Sequence, residues 1–238
     1  MLLSFDIFAP MQNLEIIYQD EYLAVINKPH GLLVHRTKIA TNTDVYALQL
    51  LRDQIGQKVY PVHRLDRKTS GVLIFALTEE VNSKMQKQFA ENKVSKVYQA
   101  IVRGFTPNQE TIDYALTNDS GKTQDAITHF DTVQKSEIEV PYGKFKTSRY
   151  SLIEIKPETG RFHQIRKHLA HLRHPIIGDR PHGCNKQNKL FKEKWNMITM
   201  MLHAKQVEFM HPVTNEPMLI KAGFQEEFKR TLEFLQFN

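Results

Sequence analysis

The sequence predicts an α+β fold: a twisted, largely antiparallel mixed sheet flanked by helices and loops. Three observations predict it. Runs of alternating apolar residues and runs with helical spacing are interspersed along all 238 residues. Several strand-like runs come in pairs separated by short polar turns, as hairpins require. No internal repeat or linker-like stretch divides the chain, and a 41% hydrophobic content over this length can fill one large core. The expectation is a single domain over residues 1–238 with its core at about 14–223.

Taken in order, Leu14–Tyr18 and Tyr22–Ile26 are β-rich and surround Gln19-Asp20-Glu21, which reads as a hairpin stopped by Pro29 and Gly31. Asn42 or Thr43 can cap a helix with Val45, Leu48, Leu51 and Ile55 at helical spacing, ended by Gly56. Val72–Leu77 reads as a buried strand. Thr78 suits an N-cap, with Glu79 and Glu80 in the first turn where the helix dipole favours anions and Val81, Met85 and Phe89 as the buried stripe. Lys96–Val102 reads as a strand with Tyr98, Ala100 and Val102 on one face. Polar residues 117–125 read as a surface loop before a strand at Ala126–Val133, and a second loop runs from Pro141 to Lys146. Arg149–Lys156 alternates as a strand ended by Pro157 and Gly160. Gly160–Arg166 opens a helix with Ile165, Leu169 and Leu172 on one side, broken by Pro175. A lysine-rich loop at 186–194 follows, then a strand from Met201 through Phe209, a turn between Pro212 and Pro217, and Met218–Lys221. Phe224, Phe228, Leu232 and Leu235 share one face of a closing helix.

Composition narrows the function classes. The single Cys184 excludes an internal disulfide, and no apolar run approaches the roughly 18 residues of a spanning helix. Met1–Asp6 lacks the basic start of a signal peptide, so the chain reads as cytoplasmic with no membrane partner. Residues 161–194 carry nine Lys or Arg against Asp179 and Glu193, a surplus of +7 in a chain of net charge +6. A charge run is most often a solvated face, but concentrating the whole excess in one segment favours a polyanion, with nucleic acid the leading candidate. His163, His168, His171 and His174 lie within this segment and could share a metal, yet no Asp, Glu or Cys accompanies them in the helix and the neighbouring cations oppose a divalent ion. Phosphate contact or packing explains them better, and no metal or other cofactor is expected.

The chemistry centres on His63-Arg64-Leu65-Asp66-Arg67-Lys68-Thr69-Ser70-Gly71. Arg64, Arg67 and Lys68 surround one carboxylate, and nearby cations favour its ionised form, suited to a nucleophile or base. A lone Asp before Thr-Ser-Gly more often caps a turn. Tyr98, on a strand face, is by itself normally core, and Arg166 by itself reads as an exposed helix arginine.

The string His-Arg-Leu-Asp, two further residues, then Thr-Ser-Gly resembles the signature of the RluA family of RNA pseudouridine synthases. Asn27-Lys28-Pro29 with Gly31–His35, Lys96-Val97-Tyr98, Gly160-Arg161-Phe162-His163-Gln164-Ile165-Arg166 and Leu202-His203-Ala204 resemble further motifs of that family, and together they cover roughly residues 14–223. The resemblance implies the pseudouridine synthase fold; no separate N-terminal RNA-binding domain, no cofactor and no obligatory protein partner are expected, and the chain is expected to be a monomer. It implies Asp66 as the catalytic residue, Arg166 as its partner, Tyr98 stacked on the target base and assisting removal of the carbon 5 proton, Arg64 entering the space of a flipped nucleotide, Leu202 beside the site, and the opening motif 27–35 as support for the catalytic loop. RNA contacts are expected from Arg161, His163, Lys167, Lys186, Lys189 and Lys192.

Residues 51–57 and 168–179 resemble those of family members that modify uridine 65 of tRNA, making tRNA the expected partner. Related compact members act on ribosomal RNA, and a non-catalytic RNA-binding protein on the same scaffold is the alternative from another class. A glycosidase would need a second carboxylate, and only Glu79 and Glu80 lie near, at a helix start.

Overall fold

The structure, a computed structural model, describes residues 13–35 and 45–237. The strands are β1 (Ile16–Gln19), β2 (Leu23–Lys28), β3 (Tyr60–Pro61), β4 (Ser70–Ala76), β5 (Ser95–Arg103), β6 (Gln109–Asp113), β7 (Leu116–Thr117), β8 (Thr123–Gln124), β9 (Ile127–Ile138), β10 (Ser148–Pro157), β11 (Leu202–Met210) and β12 (Pro217–Lys221). The helices are α1 (Ala47–Ile55), α2 (Glu79–Ala90), α3 (Gln164–His171), α4 (Asn185–Trp195) and α5 (Glu226–Phe234). The expected cap at Asn42 or Thr43 and the segment Met1–Asp6 lie outside the described residues. Within them, α1 starts after Tyr46 and ends on Gly56 in the left-handed conformation.

Ten strands form one mixed sheet in the order β1-β2-β4-β11-β5-β10-β9-β6, with β12 on β11 and β3 on β4. Every pairing is antiparallel except β4 with β11. β4 is buried at every position because both its faces are covered: Val72 and Ile74 pack with Val81 and Met85 of α2, Leu73 and Phe75 with Ala47 and Leu51 of α1. That explains its uninterrupted apolar sequence. Farther along the sheet, Ile101, Tyr150 and Ile153 form a third cluster with Leu169 of α3, Phe191 of α4 and Phe228 of α5.

β4 and β11 approach closely, pairing Gly71 with Ala204. A Cβ on Gly71, which has φ +107°, would meet the Ala204 carbonyl oxygen at 2.1 Å, so only glycine fits after the Asp66 loop. The Thr78 hydroxyl accepts from the Val81 amide at 3.2 Å, capping α2 as expected.

Three expectations change. The lysine-rich loop at 186–194 is helix α4, anchored by buried Gln187 and Phe191. Residues 117–125 hold the two-stranded β7–β8 hairpin, whose turn is closed by the Asn118 side chain accepting from the Ser120 and Lys122 amides. Helix α3 ends at His171, before Pro175, because Arg173 takes φ +63°. Only His168 and His171 of the four histidines therefore lie within it. His163 is its N-cap and His174 lies beyond it, its Nδ1–H donating to the Arg103 carbonyl at 2.9 Å. No helix among the described residues is long and apolar enough to cross a membrane.

Candidate active site

The loop between β3 and β4 carries Asp66 to the edge of a cavity of about 350 Å³. Its shape is fixed from several sides. The Asp66 carbonyl accepts from the Thr69 amide at 3.1 Å, closing a turn through main-chain atoms and leaving the carboxylate free to face elsewhere. His63 Nε2 accepts from the Ile74 amide at 3.2 Å, tying the loop to β4. That bond needs an unprotonated ring nitrogen, and burial, aided by the Lys96 charge, pushes the His63 pKa down to about 4. From β2, the fully buried Lys28 donates to the carbonyls of Leu32 at 2.8 Å, Pro29 at 2.9 Å and Arg67 at 3.3 Å. It thus joins the 29–32 segment to the Asp66 loop. Burial lowers the Lys28 pKa to about 7.

The Asp66 carboxylate is held by Arg166, whose Nη1 donates to Oδ2 at 2.8 Å. Arg166 is itself clamped by Asp179, which accepts from Nε at 2.7 Å and from Nη2 at 2.8 Å. The Arg166 and Asp179 side chains are 5% and 1% exposed, so this bidentate pair is interior. Burial alone would raise the Asp179 carboxyl, but the hydrogen bonds and charge of Arg166 outweigh it and hold the pKa below the usual range. Asp179 is fixed in turn by α4, where Asn188 donates to the Asp179 carbonyl at 2.7 Å and accepts from the Gly178 amide at 2.9 Å. A Cβ on Gly178 would strike the Thr199 carbonyl at 2.0 Å, so this turn too needs glycine.

The cation in contact with Asp66 is therefore Arg166, one hundred residues away. Arg64, Arg67 and Lys68, which the sequence places around it, make no ion pair with it among the described residues. Arg67 donates to the Gly31 carbonyl at 2.9 Å. His163 Nε2 lies 3.6 Å from Asp66 Oδ2, too far for a hydrogen bond. Burial lowers its pKa to about 4 despite the pull of Asp66, so it is neutral at pH 7, and its Nδ1 meets His182 Nε2 at 2.9 Å.

The loop before α3 is pinned by Gln164, which accepts from Thr159 Oγ1 at 2.7 Å and the Arg161 amide at 2.9 Å and donates to the Ile127 carbonyl at 2.9 Å. That accounts for the glutamine in the Gly-Arg-x-His-Gln string. Tyr98 on β5 and Leu202 at the start of β11 form the inner wall. Burial, and secondarily the Asp66 charge, raises the Tyr98 pKa, so its phenol stays protonated at neutral pH.

Of the expected site residues, Asp66, Tyr98, Arg166, Arg64, Leu202, Arg161 and His163 all line the cavity. Lys167 stands at its rim over Phe162. Lys186, Lys189 and Lys192 do not line it; they are exposed on α4. The remaining helix histidines serve packing: His168 bonds Thr128 Oγ1 and the Tyr114 carbonyl, and His171 stacks on Tyr114. Sequence reasoning missed Asp179, Lys96 and Phe162. The signal for Asp179 was its isolation as an acid in a basic segment.

Asp66 is the one acid among the described residues lining the cavity, against Arg64, Lys96, Arg161 and Arg166. One oriented carboxylate with an aromatic wall and a cationic mouth suits covalent or base chemistry on an anionic, ring-bearing substrate. Among the described residues no group of three His, Cys, Asp or Glu side chains converges as metal ligands.

Comparison with known proteins identifies the family. Residues 22–171 match the RNA pseudouridylate synthase family. The chain is 47% identical over 233 residues to tRNA pseudouridine synthase C of Vibrio parahaemolyticus, covering 93% of this chain and 94% of that one. It is 40% identical to the protein of that name from Haemophilus influenzae, covering 92% and 96%. Among solved structures, human RNA pseudouridylate synthase domain containing 4 superposes with a TM-score of 0.72 at 25% identity, covering 93% of each chain. Family model, motifs and fold coincide, and the chain belongs to the RluA family of RNA pseudouridine synthases.

Proposed function

We propose that the chain isomerises one uridine of tRNA, at position 65, with Asp66 as the catalytic residue. The carrying observation is the Asp66–Arg166–Asp179 chain at the floor of a cationic cavity. The tRNA assignment is supported by relatives named tRNA pseudouridine synthase C at 40 to 47% identity, and position 65 by the resemblance of residues 51–57 and 168–179. In this reading residues 1–238 are one catalytic domain, and its core runs past residue 223 into α5 and its C-cap, where Phe228 and Leu235 are buried.

A uridine stacked in RNA flips out at a cost of a few kcal/mol. Arg64, exposed at the cavity mouth, enters the space it leaves. The Asp66 carboxylate adds to the ribose or to the uracil ring, and the bond from ribose carbon 1′ to nitrogen 1 breaks. The base turns, carbon 5 bonds to carbon 1′, the bond to Asp66 breaks and frees the carboxylate, and the carbon 5 proton is lost to solvent while nitrogen 1 gains one, so the reaction is redox-neutral. Arg166 keeps the carboxylate aimed, which the bidentate Asp179 clamp makes possible without free rotation. Tyr98 supports the base with its ring; its phenol, kept protonated by burial, is not the base that takes the carbon 5 proton. Arg161 and Lys167 meet phosphates, which position RNA without reading sequence.

Carbodiimide mapping of unmodified tRNA treated with the protein tests this reading. The expected result is pseudouridine at one tRNA position with the native chain and none with Asp66→Asn, while RNA binding survives. Turnover by Asp66→Asn, or conversion of ribosomal RNA alone, would defeat it.

A further inference from the structure

Phe162 stands where the family string Gly-Arg-x-His-Gln leaves its residue open, and its ring is 45% exposed at the mouth of the cavity. One neighbour covers it from inside: the His163 imidazole stacks on it with centroids 3.8 Å apart and planes 21° from parallel. Two cations hover over it, the Arg64 guanidinium at 6.0 Å and Lys167 Nζ at 5.8 Å from the centroid. These distances sit at the outer limit of cation–π attraction, and Lys167 Nζ also donates to the Thr117 carbonyl at 3.4 Å. An exposed aromatic ring beside cations is the arrangement that binds single-stranded nucleic acid, base on ring and phosphate on cation. Tyr98 lies deeper in the same cavity, against Asp66, and is the ring available to the target base itself.

We propose that Phe162 is a stacking platform for the nucleobase next to the target uridine. This rests on the reading of RNA as substrate. When Arg64 moves into the RNA it uncovers the ring, the neighbouring base stacks there, and Lys167 takes the adjoining phosphate. Phe162 thus acts as a positioning residue that helps hold the target nucleotide outside the helix.

The test uses the Asp66→Asn protein, so that binding is read without turnover, and an unmodified tRNA transcript as probe. Phe162→Leu keeps an apolar cover on His163 but removes the π face; Phe162→Trp keeps the face. Loss of a stacked base corresponds to about a tenfold change in affinity. The expected result is a Kd raised about tenfold by Phe162→Leu and unchanged by Phe162→Trp, with the indole introduced by the latter quenched on adding RNA. The native Trp195, stacked on Phe234 and not lining the cavity, gives a background that is measured in the Asp66→Asn protein with Phe162 retained and subtracted. Native affinity in Phe162→Leu, or an unmoved indole signal, would overturn the proposal. Those outcomes are separate from a failure of the native chain to form pseudouridine, which would refute the catalytic reading instead.

Discussion

The floor and the rim of the cavity are built on opposite principles. At the floor, Arg166 and Asp179 are almost fully buried, bonded through two parallel hydrogen bonds, and braced by Asn188 of α4. At the rim and on α4, Arg64, Lys186, Lys189 and Lys192 are exposed. Among the described residues Lys189 pairs only with the exposed Glu193, at 3.6 Å, a contact worth little in water. Burial makes the floor rigid and geometry-dependent, because each group depends on its partner for solvation. Exposure leaves the rim adaptable and screened by salt. Rate should therefore reside in the floor and affinity in the rim.

The largest effect expected is at the floor. Arg166→Lys keeps the charge but cannot reproduce the bonds to Asp179 and Asp66 together. It should cut the single-turnover rate on unmodified tRNA by about 100-fold, the scale of a 1 Å misplacement. Arg166→Ala should in addition lose about 3–5 kcal/mol in urea unfolding, because it leaves the Asp179 carboxylate buried and unpaired. A variant with native rate and native stability would show that the floor is not preorganised by this pair.

Acid sharpens the contrast next, since buried groups titrate with folding while exposed ones do not. His63 and fully buried His203 are held by burial at pKa values of about 4. In the unfolded chain they protonate near 6.5. Between these values the unfolded state binds more protons, so stability is full above pH 6.5 and falls as pH drops toward 4. The loss is up to about 3 kcal/mol for each group. Urea midpoints should fall steadily from pH 7 to pH 4.5, and a flat profile would contradict the neutral assignment.

The smallest effect belongs to the rim. Neutralising Lys186, Lys189 and Lys192 together should leave single-turnover rate and stability near native but lower the salt dependence of RNA binding by about 2 to 3 in log–log slope, if each meets one phosphate. None of the three lines the cavity, so an unchanged slope would remove α4 from the RNA interface.

What was legible in the sequence follows the same division. Strands with one or two apolar faces, β2, β4 and β10 among them, were visible because burial dictates residue type along them. β6 was not, because only Ile112 of Gln109–Asp113 is buried and an edge strand needs no apolar face. Helix α4 hid behind its lysines: its inward positions include the polar Gln187, which bonds the Tyr150 hydroxyl, so no apolar stripe announced it. At the site, Asp66, Tyr98, Arg166 and Leu202 were named through their motifs and do converge. The charge argument chose the wrong partners, because local sequence places Arg64, Arg67 and Lys68 nearest while the fold brings Arg166 from α3. Asp179 showed in the sequence only as an acid in a basic segment, because its role depends on a bond to a residue thirteen positions away across a turn.

The central claim is that a buried clamp aims Asp66, and Asp179→Asn tests it most directly. This change keeps the size of the side chain, removes its charge and leaves Asp66 in place. Single-turnover rate and RNA Kd should be measured together on unmodified tRNA. The account predicts a rate lowered by about 100-fold with Kd unchanged, since the defect is one of orientation. A native rate, or a weakened Kd with the rate intact, would show that Asp66 reaches its working position without the clamp.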